Sequence, residues 1–356
     1  MAKYIEKIQE FLRHEHVDAL LLRSKTMKKY LDTMTGSGCQ VLITLNSGYL
    51  LLDGRYLEEA RQKEKQLEII CTDDIKGKVV EILASNAIDT LALENDQTSV
   101  KLYQYYQKEI KNIRLFDEEI GMLRIIKEEE EIQKIQKAVD ITDEIFQQVR
   151  SHLHLGMTEY EISALLHYYA IKNGAQQMSF DTIVTSGPRT ALPHGRPTDR
   201  KLQLHDPVML DFGIQLNNYQ SDMTRMVFME SPTEKMVEIY ETVLKAQTTA
   251  LEAIAAGKVA SSIDAVARAI ITEAGYGEYF DHGLGHGIGI GDGNEMPYLN
   301  KKSSTILQNN MLMSCEPGIY VPGIGGVRIE DDVLICDGKG VALNKTPKDL
   351  YIVKEK

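Results

Sequence analysis

The sequence predicts an α/β domain followed by a larger α+β domain. Three observations carry that expectation. Up to about Leu115, short apolar runs alternate with amphipathic stretches; a long, strongly charged helical stretch follows; beyond it, strand-like runs, helices and glycine-rich strands come in blocks. The length of 356 residues agrees, because a chain of this size exceeds what one hydrophobic core normally serves. The boundary is placed between residues 122 and 123.

In the first domain, 1–122, strands are expected at 17–22, 40–45, 49–52, 67–71, 90–93 and 113–116, with helices at 55–63, 75–85 and 99–108. The opening residues carry charges at Lys3, Glu6, Lys7, Glu10 and Arg13 and apolar groups at Ile5, Ile8, Phe11 and Leu12, which makes an amphipathic helix and not a signal peptide. No phosphate-binding glycine fingerprint opens a helix there, so a nucleotide site is not expected. In the second domain, 123–356, the charged helix over about 127–152 comes first. Thr158 with Glu161 three residues later reads as a capping box for a helix to residue 171. Strand-like runs at 182–185, 208–212 and 219–228, helices at 234–255 and 262–274, and glycine-rich strands over 282–335 complete it.

A formal net charge of −12 repels a phosphate backbone, and no basic stripe offsets it, so nucleic acid is excluded as a partner. The run Lys127-Glu128-Glu129-Glu130-Glu131 is expected to be a solvated helix face. Cys39, Cys71, Cys315 and Cys336 form no C-x-x-C pair, which implies reduced thiols and a cytoplasmic protein. No apolar run approaches the ~20 residues of a membrane span, and soluble partners are expected.

Chemistry concentrates in the second domain. Asp211 and Asp222 sit on apolar runs joined by the polar turn 215–218, and a hairpin there would set the two carboxylates opposite one another, with Cβ atoms about 4.5–5.5 Å apart. Like charges that close need a cation, and Asp211, flanked by Met209, Leu210 and Phe212, is too apolar in its setting for a lone carboxylate. His282 and His286 lie in Gly-dense sequence, where glycines would let the backbone approach a ligand. Glu316 and Glu330 each lie in an apolar strand, with Pro322, Gly323, Gly325 and Gly326 supplying a turn between them. Four carboxylates and one histidine form an oxygen-rich set, better suited to Mn²⁺, Co²⁺ or Fe²⁺ than to a structural zinc tetrahedron, and four negative charges suit a pair of divalent cations.

Those five residues, with the phrases Ser-Asp-Met-Thr-Arg, His-Gly-Leu-Gly-His-Gly-Ile-Gly, Glu-Pro-Gly-Ile-Tyr and Gly-Val-Arg-Ile-Glu-Asp-Asp, resemble the pita-bread metallopeptidases of the Xaa-Pro dipeptidase (prolidase) and aminopeptidase P branch. The resemblance runs from about Ile126 to the C-terminus; Phe180 to Gly187 and Ala191 to Gly195 fit it, and Asp53-Gly-Arg-Tyr resembles the family's smaller N-terminal domain more weakly. It implies a pita-bread catalytic domain behind a creatinase-type α/β domain. It implies Asp211, Asp222, His286, Glu316 and Glu330 as ligands of two divalent ions, Mn²⁺ first, with Co²⁺, Fe²⁺ or Zn²⁺ as other occupants, and Asp222 and Glu330 bridging. Glu316 would shuttle a proton, His194 and His282 would donate hydrogen bonds to substrate and developing charge, and Arg328 and Thr224 would hold the carboxylates. Short peptides are the implied substrates and a homodimer the implied assembly.

The stretch 290–297 departs from the family pattern, with Asn294 where a substrate-contacting histidine is expected and one extra residue before it. Asparagine hydrogen-bonds but carries no proton at neutral pH. Three other readings stand beside the peptidase one. A non-catalytic pita-bread binding protein would lack metal ligands, and all five are present; methionine aminopeptidase shares the ligands but lacks a sizeable front domain; a thiol peptidase on Cys315 is disfavoured because neighbouring carboxylates suppress a thiolate.

Overall fold

A computed structural model describes residues 2–291 and 294–354, which separate into two units, 1–124 and 125–356. Each apolar run expected as a strand in the first unit is one: β1 (Ala19–Leu22), β2 (Cys39–Thr44), β3 (Gly48–Leu52), β4 (Glu68–Cys71), β5 (Thr90–Glu94) and β6 (Asn112–Phe116). They form one mixed sheet in the order β4-β3-β2-β1-β5-β6. The helices are α1 (Ala2–His14), α2 (Lys25–Tyr30), α3 (Leu57–Lys63), α4 (Ile75–Ser85), α5 (Val100–Glu109) and α6 (Glu118–Met122). Leu21, Leu42, Leu51, Leu91 and Leu93 of the sheet pack against Val79, Leu83, Leu102 and Tyr106 of α4 and α5. Only α2 and α6 were not expected, and at six and five residues they are too short to show a helical period.

In the second unit, α7 (Glu129–Arg150) and α8 (Glu159–Lys172) both begin in capping boxes, Glu128/Glu131 and Thr158/Glu161. The charge run before α7 is not wholly solvated, a correction to expectation: Lys127 and Glu131 are each 1% exposed. Lys127 Nζ meets Glu295 Oε1 at 2.8 Å, and Glu131 Oε1 accepts from Tyr219 Oη at 3.1 Å. Buried charges persist when paired this way, and sequence charge density alone does not disclose the partner 168 residues away.

Next come β7 (Gln177–Met178), β8 (Ile183–Ser186), β9 (Pro207–Phe212), β10 (Ile214–Leu216), β11 (Tyr219–Gln220) and β12 (Met223–Met229). The two-residue turn between β10 and β11 places Asn217 and Asn218 at φ of 49° and 71°, the pair of positive values that a twisted hairpin requires. The hairpin does not set Asp211 opposite Asp222. Asp211 pairs with Thr224, and Asp222 lies two residues further along the same face. The ladder breaks at Gly213, where a Cβ would sit 1.8 Å from the Ser221 carbonyl oxygen, so β9 and β12 pair in one sheet while β10 and β11 pair in another. Gly213→Ala is expected to cost about 3 kcal/mol by forcing those backbones apart, read as a lowered urea midpoint.

After α9 (Glu234–Ala253) and α10 (Ala260–Glu273) come β13 (Gly285–Gly287), β14 (Glu295–Leu299), β15 (Leu312–Cys315), β16 (Gly318–Val321), β17 (Gly325–Arg328), β18 (Asp331–Cys336), β19 (Lys339–Ala342) and β20 (Tyr351–Val353). The sheet orders are β20-β12-β9-β8, β14-β13-β15-β18-β19 and the hairpin β16-β17, antiparallel except where β20 joins β12. Val208, Leu210 and Phe212 face a core shared with Phe146 of α7 and Leu166 of α8; Met209 and Met226 face the core of α9 and α10. Asp211 and Thr224 therefore share the face of Met209 and Met226. On β15 and β18, Met313, Cys315 and Val333 enter that same core, leaving Ser314, Glu316, Glu330 and Asp332 on the alternate face. No helix among the described residues is long and apolar enough to cross a membrane.

Candidate metal centre

One cavity of ≈520 Å³ in the second unit is lined by His194, Asp211, Asp222, His282, His286, Glu316, Arg328 and Glu330. Thr224 lies behind it, donating from Oγ1 to Glu330 Oε2 at 2.6 Å. Sequence separations of more than one hundred residues are closed by β9 and β12 on one side and β13, β15 and the β17–β18 junction on the other.

His286 fixes what this arrangement can hold. Its Nδ1 lies 3.1 Å from the Gly287 carbonyl, which can only accept, so Nδ1 carries the proton and Nε2 presents a lone pair. That lone pair faces Glu316 Oε1 at 3.4 Å and Asp222 Oδ2 at 3.7 Å. Ligand atoms of Asp222, His286 and Glu330 lie within 4.8 Å of one another. A lone pair and carboxylate oxygens converging on one point repel unless a proton or a cation stands between them. Moreover, Asp211 Oδ1 and Asp222 Oδ1 are buried with no hydrogen-bond partner among the described residues, each a cost of about 1–3 kcal/mol if left so. These donors fit divalent cations.

Electrostatics agree. Burial, then Glu330, Asp211 and Glu316, holds the Asp222 carboxyl well above the ordinary carboxylate range. Burial, then Glu316 and Asp211, does the same to Glu330, against the pull of Arg328 and Thr224. Asp211 is raised too, burial outweighing Arg328. Arg328 pairs through Nη2 with Asp211 Oδ2 and donates from Nε to Thr224 Oγ1 at 3.0 Å, so one buried guanidinium orients both sides of the carboxylate set. It also donates to the Pro193 carbonyl at 3.2 Å, which ties the loop of His194 to the site.

Two features of the sequence expectation change in detail. His282 lines the cavity, but Nδ1 lies 2.8 Å from the Gly283 carbonyl and Nε2 lies 2.9 Å from Tyr320 Oη. Arg328 donates to that hydroxyl at 2.7 Å, leaving its proton for His282 Nε2. Both imidazole nitrogens are engaged, and burial lowers the pKa of His282, which favours the neutral ring. The glycines flanking His286 admit neighbouring strands and not a ligand: a Cβ on Gly285 would lie 2.1 Å from the Ser314 carbonyl oxygen, and one on Gly287 would lie 2.1 Å from that of Met296.

Sequence reasoning missed Tyr320, Ser314 and Asp332. Ser314 Oγ donates to Glu316 Oε1 at 3.0 Å and accepts from the His286 backbone N–H at 3.1 Å, and Asp332 Oδ2 accepts the Asp222 N–H at 2.9 Å. For Ser314 and Asp332 the sequence signal is period-2 spacing from the ligands, Ser314 from Glu316 and Asp332 from Glu330, and Tyr320 carries no such signal. Asn294 is exposed at the cavity's rim; Asp292 and Gly293, in the same departure from the family pattern, lie outside the described residues. All four cysteines are free, and burial pushes the Cys315 thiol up, against a thiolate nucleophile.

Comparison with known proteins gives the same account. Residues 133–337 match metallopeptidase family M24, and residues 5–126 match the creatinase/prolidase N-terminal domain. An Xaa-Pro dipeptidase of Pyrococcus furiosus is 36% identical over 98% of this chain and 100% of its own length. Among solved structures, an Xaa-Pro dipeptidase from Bacillus anthracis superposes with a TM-score of 0.94 at 36% identity, covering 99% of each chain. An X-Pro aminopeptidase from Thermotoga maritima gives 0.89 at 35% identity, over 97% of this chain and 100% of that one. A cavity whose carboxylates and histidine call for divalent cations thus lies in the unit that carries the metallopeptidase match, and the chain belongs to metallopeptidase family M24, a metal-dependent peptidase with a creatinase/prolidase N-terminal domain.

Proposed function

We propose that this enzyme hydrolyses the bond between the first residue and proline in Xaa-Pro dipeptides, using two divalent cations, Mn²⁺ first, held by Asp211, Asp222, His286, Glu316 and Glu330. The observation that carries this reading is His286 Nε2 facing Asp222 and Glu316 beside buried oxygens of Asp211 and Asp222 that have no hydrogen-bond partner among the described residues. When bound, such a pair of cations activates water and polarises the scissile carbonyl. Glu316, oriented by Ser314, takes the proton from the attacking water and returns it to the leaving nitrogen. His194, exposed on the loop after Pro193, is free to donate a hydrogen bond to substrate. His282, with both nitrogens engaged, keeps Tyr320 and Arg328 in register with Asp211, and because its one N–H is held by the Gly283 carbonyl it donates to substrate only by giving up that bond. Arg328 and Thr224 hold Asp211 and Glu330 in place.

Dipeptides are preferred to longer peptides because two of the relatives above are Xaa-Pro dipeptidases and a cavity of ≈520 Å³ suits a small ligand. Aminopeptidase P activity is the second reading, supported by the Thermotoga maritima structure. A homodimer belongs to this reading only through the sequence's resemblance to the family, and four free cysteines accord with a cytoplasmic setting. The test is hydrolysis of Ala-Pro, Ala-Pro-Ala and Met-Ala-Ser. Ala-Pro is cleaved fastest, activity disappears on chelation, and Mn²⁺ restores it; cleavage of Met-Ala-Ser with Ala-Pro left intact overturns the reading. Because Asn294 stands at the rim, Asn294→His is expected to shift KM among Xaa-Pro substrates while kcat stays within about threefold.

A further inference from the structure

The geometry points to Arg196 as the group that receives the C-terminal carboxylate of the dipeptide, an inference that rests on the Xaa-Pro reading above. A dipeptide carries a carboxylate into a cavity already lined by Asp181, Asp211, Asp222, Glu316 and Glu330. The proposed cations offset four of these charges and are occupied by their ligands and the scissile carbonyl, so the substrate carboxylate still needs a cationic partner of its own on the protein. Of the lining residues described, only Arg196 and Arg328 are permanently charged cations. Arg328 is buried, with its donors committed to Asp211, Thr224, Tyr320 and Pro193. Arg196 is not: its side chain is 66% exposed and its ion-pair partner is Asp181, itself 75% exposed, at 2.5 Å. An exposed pair of this kind contributes little and is easily exchanged.

Position supports the assignment. Arg196, with Ser179, Phe180 and Asp181, borders both the site cavity and an adjoining one of ≈870 Å³, whereas the metal-binding carboxylates line only the first. The guanidinium therefore stands at the margin of the site, where the end of a two-residue substrate would arrive and a longer peptide would have to continue past it. The backbone that carries it is firmly held. Arg189 donates to the Arg196 carbonyl at 2.7 Å and also pairs with Glu159, a fully buried carboxylate that accepts in addition from Ser186 and from Thr198. A held backbone carrying an exposed guanidinium whose ion pair is readily exchanged suits recognition of a planar carboxylate.

The experiment compares KM for Ala-Pro with KM for its C-terminal amide in the wild type, Arg196→Gln, Arg196→Lys and Asp181→Asn, each checked for an unchanged melting temperature. In Arg196→Gln the KM for Ala-Pro is expected to rise about 10–100-fold more than that for the amide, with kcat little affected; Arg196→Lys recovers part of the difference. Asp181→Asn, which removes the competing carboxylate, leaves the KM for Ala-Pro unchanged or lowers it. Equal effects on acid and amide, no effect, or a rise in both Arg196→Gln and Asp181→Asn would overturn the assignment, the last because it marks the pair as structural. A wild type that fails to cleave Ala-Pro instead sinks the Xaa-Pro reading, and this inference with it.

Discussion

If the proposed pair of cations is held as assigned, Asp222→Asn is expected to reduce Ala-Pro hydrolysis by at least about 1,000-fold and to lower the manganese bound per chain by one ion or more. The substitution changes charge with almost no change of shape. The Asp222 backbone N–H stays on Asp332, so the side chain remains in place and only its capacity as an anionic ligand is lost. A merely structural role would show as a fall in stability, and the opposite is expected in the metal-free protein. Burial and the neighbouring Glu330, Asp211 and Glu316 all disfavour the Asp222 charge, so a neutral amide relieves repulsion there. Metal analysis, steady-state rates and thermal melting of the same preparations check this. Retention of both ions with full activity would remove Asp222 from the ligand set, and a melting temperature well below that of metal-free wild type would make it a structural residue.

The placement of these carboxylates was legible because an apolar strand cannot bury a charge without a partner. Asp211 among Met209, Leu210 and Phe212 calls for a partner by composition alone, and Glu316 and Glu330 do so for the same reason. Strand existence in the first unit was equally legible, since the strands there are short, mostly apolar runs between turn residues, although Gln40 interrupts β2 and Arg114 interrupts β6. Register was not. Whether Asp211 meets Asp222 or Thr224 depends on the backbone contact at Gly213 and Ser221, a tertiary event with no local signature. Partners across long separations were also hidden: Lys127 reads as a solvated lysine until Glu295 is brought to it, and Glu159 reads as one more acid in the first turn of α8. The state of His282 depends likewise on Tyr320, which looks like an ordinary apolar strand residue until its hydroxyl is found between an arginine and an imidazole.

The same buried carboxyls make stability depend on pH in a direction opposite to the usual acid denaturation. Asp222, Glu330 and Asp332 are all held above the ordinary carboxylate range, burial being the largest cause for each. A carboxyl whose folded pKa exceeds its unfolded value keeps its proton longer in the native state. Between those two values the native chain binds more protons than the unfolded one, and stability is lost as pH rises, by up to about 1.4 kcal/mol per pH unit for each such group. That stability is fully present below the unfolded carboxylate range and is gone once pH has passed the folded value. Asp331 acts the other way: although burial pushes it up, Arg225 and Lys348 pull it below the ordinary range, so its contribution is lost only in stronger acid, outside this window. Chelated protein is therefore expected to melt at progressively lower temperature as pH rises above the ordinary carboxylate range, about 4, by about 2–4 °C for each kcal/mol lost. Saturating Mn²⁺ should flatten or reverse the trend, because cations bind the deprotonated carboxylates and stabilise the native state more as pH rises. Binding should also release protons, measurable as a dependence of the calorimetric heat on the ionisation enthalpy of the buffer. A chelated protein whose melting temperature climbs as pH rises above that range, together with manganese binding that releases no protons, would show that the cluster is already ionised without metal and would remove the electrostatic reason for the cations.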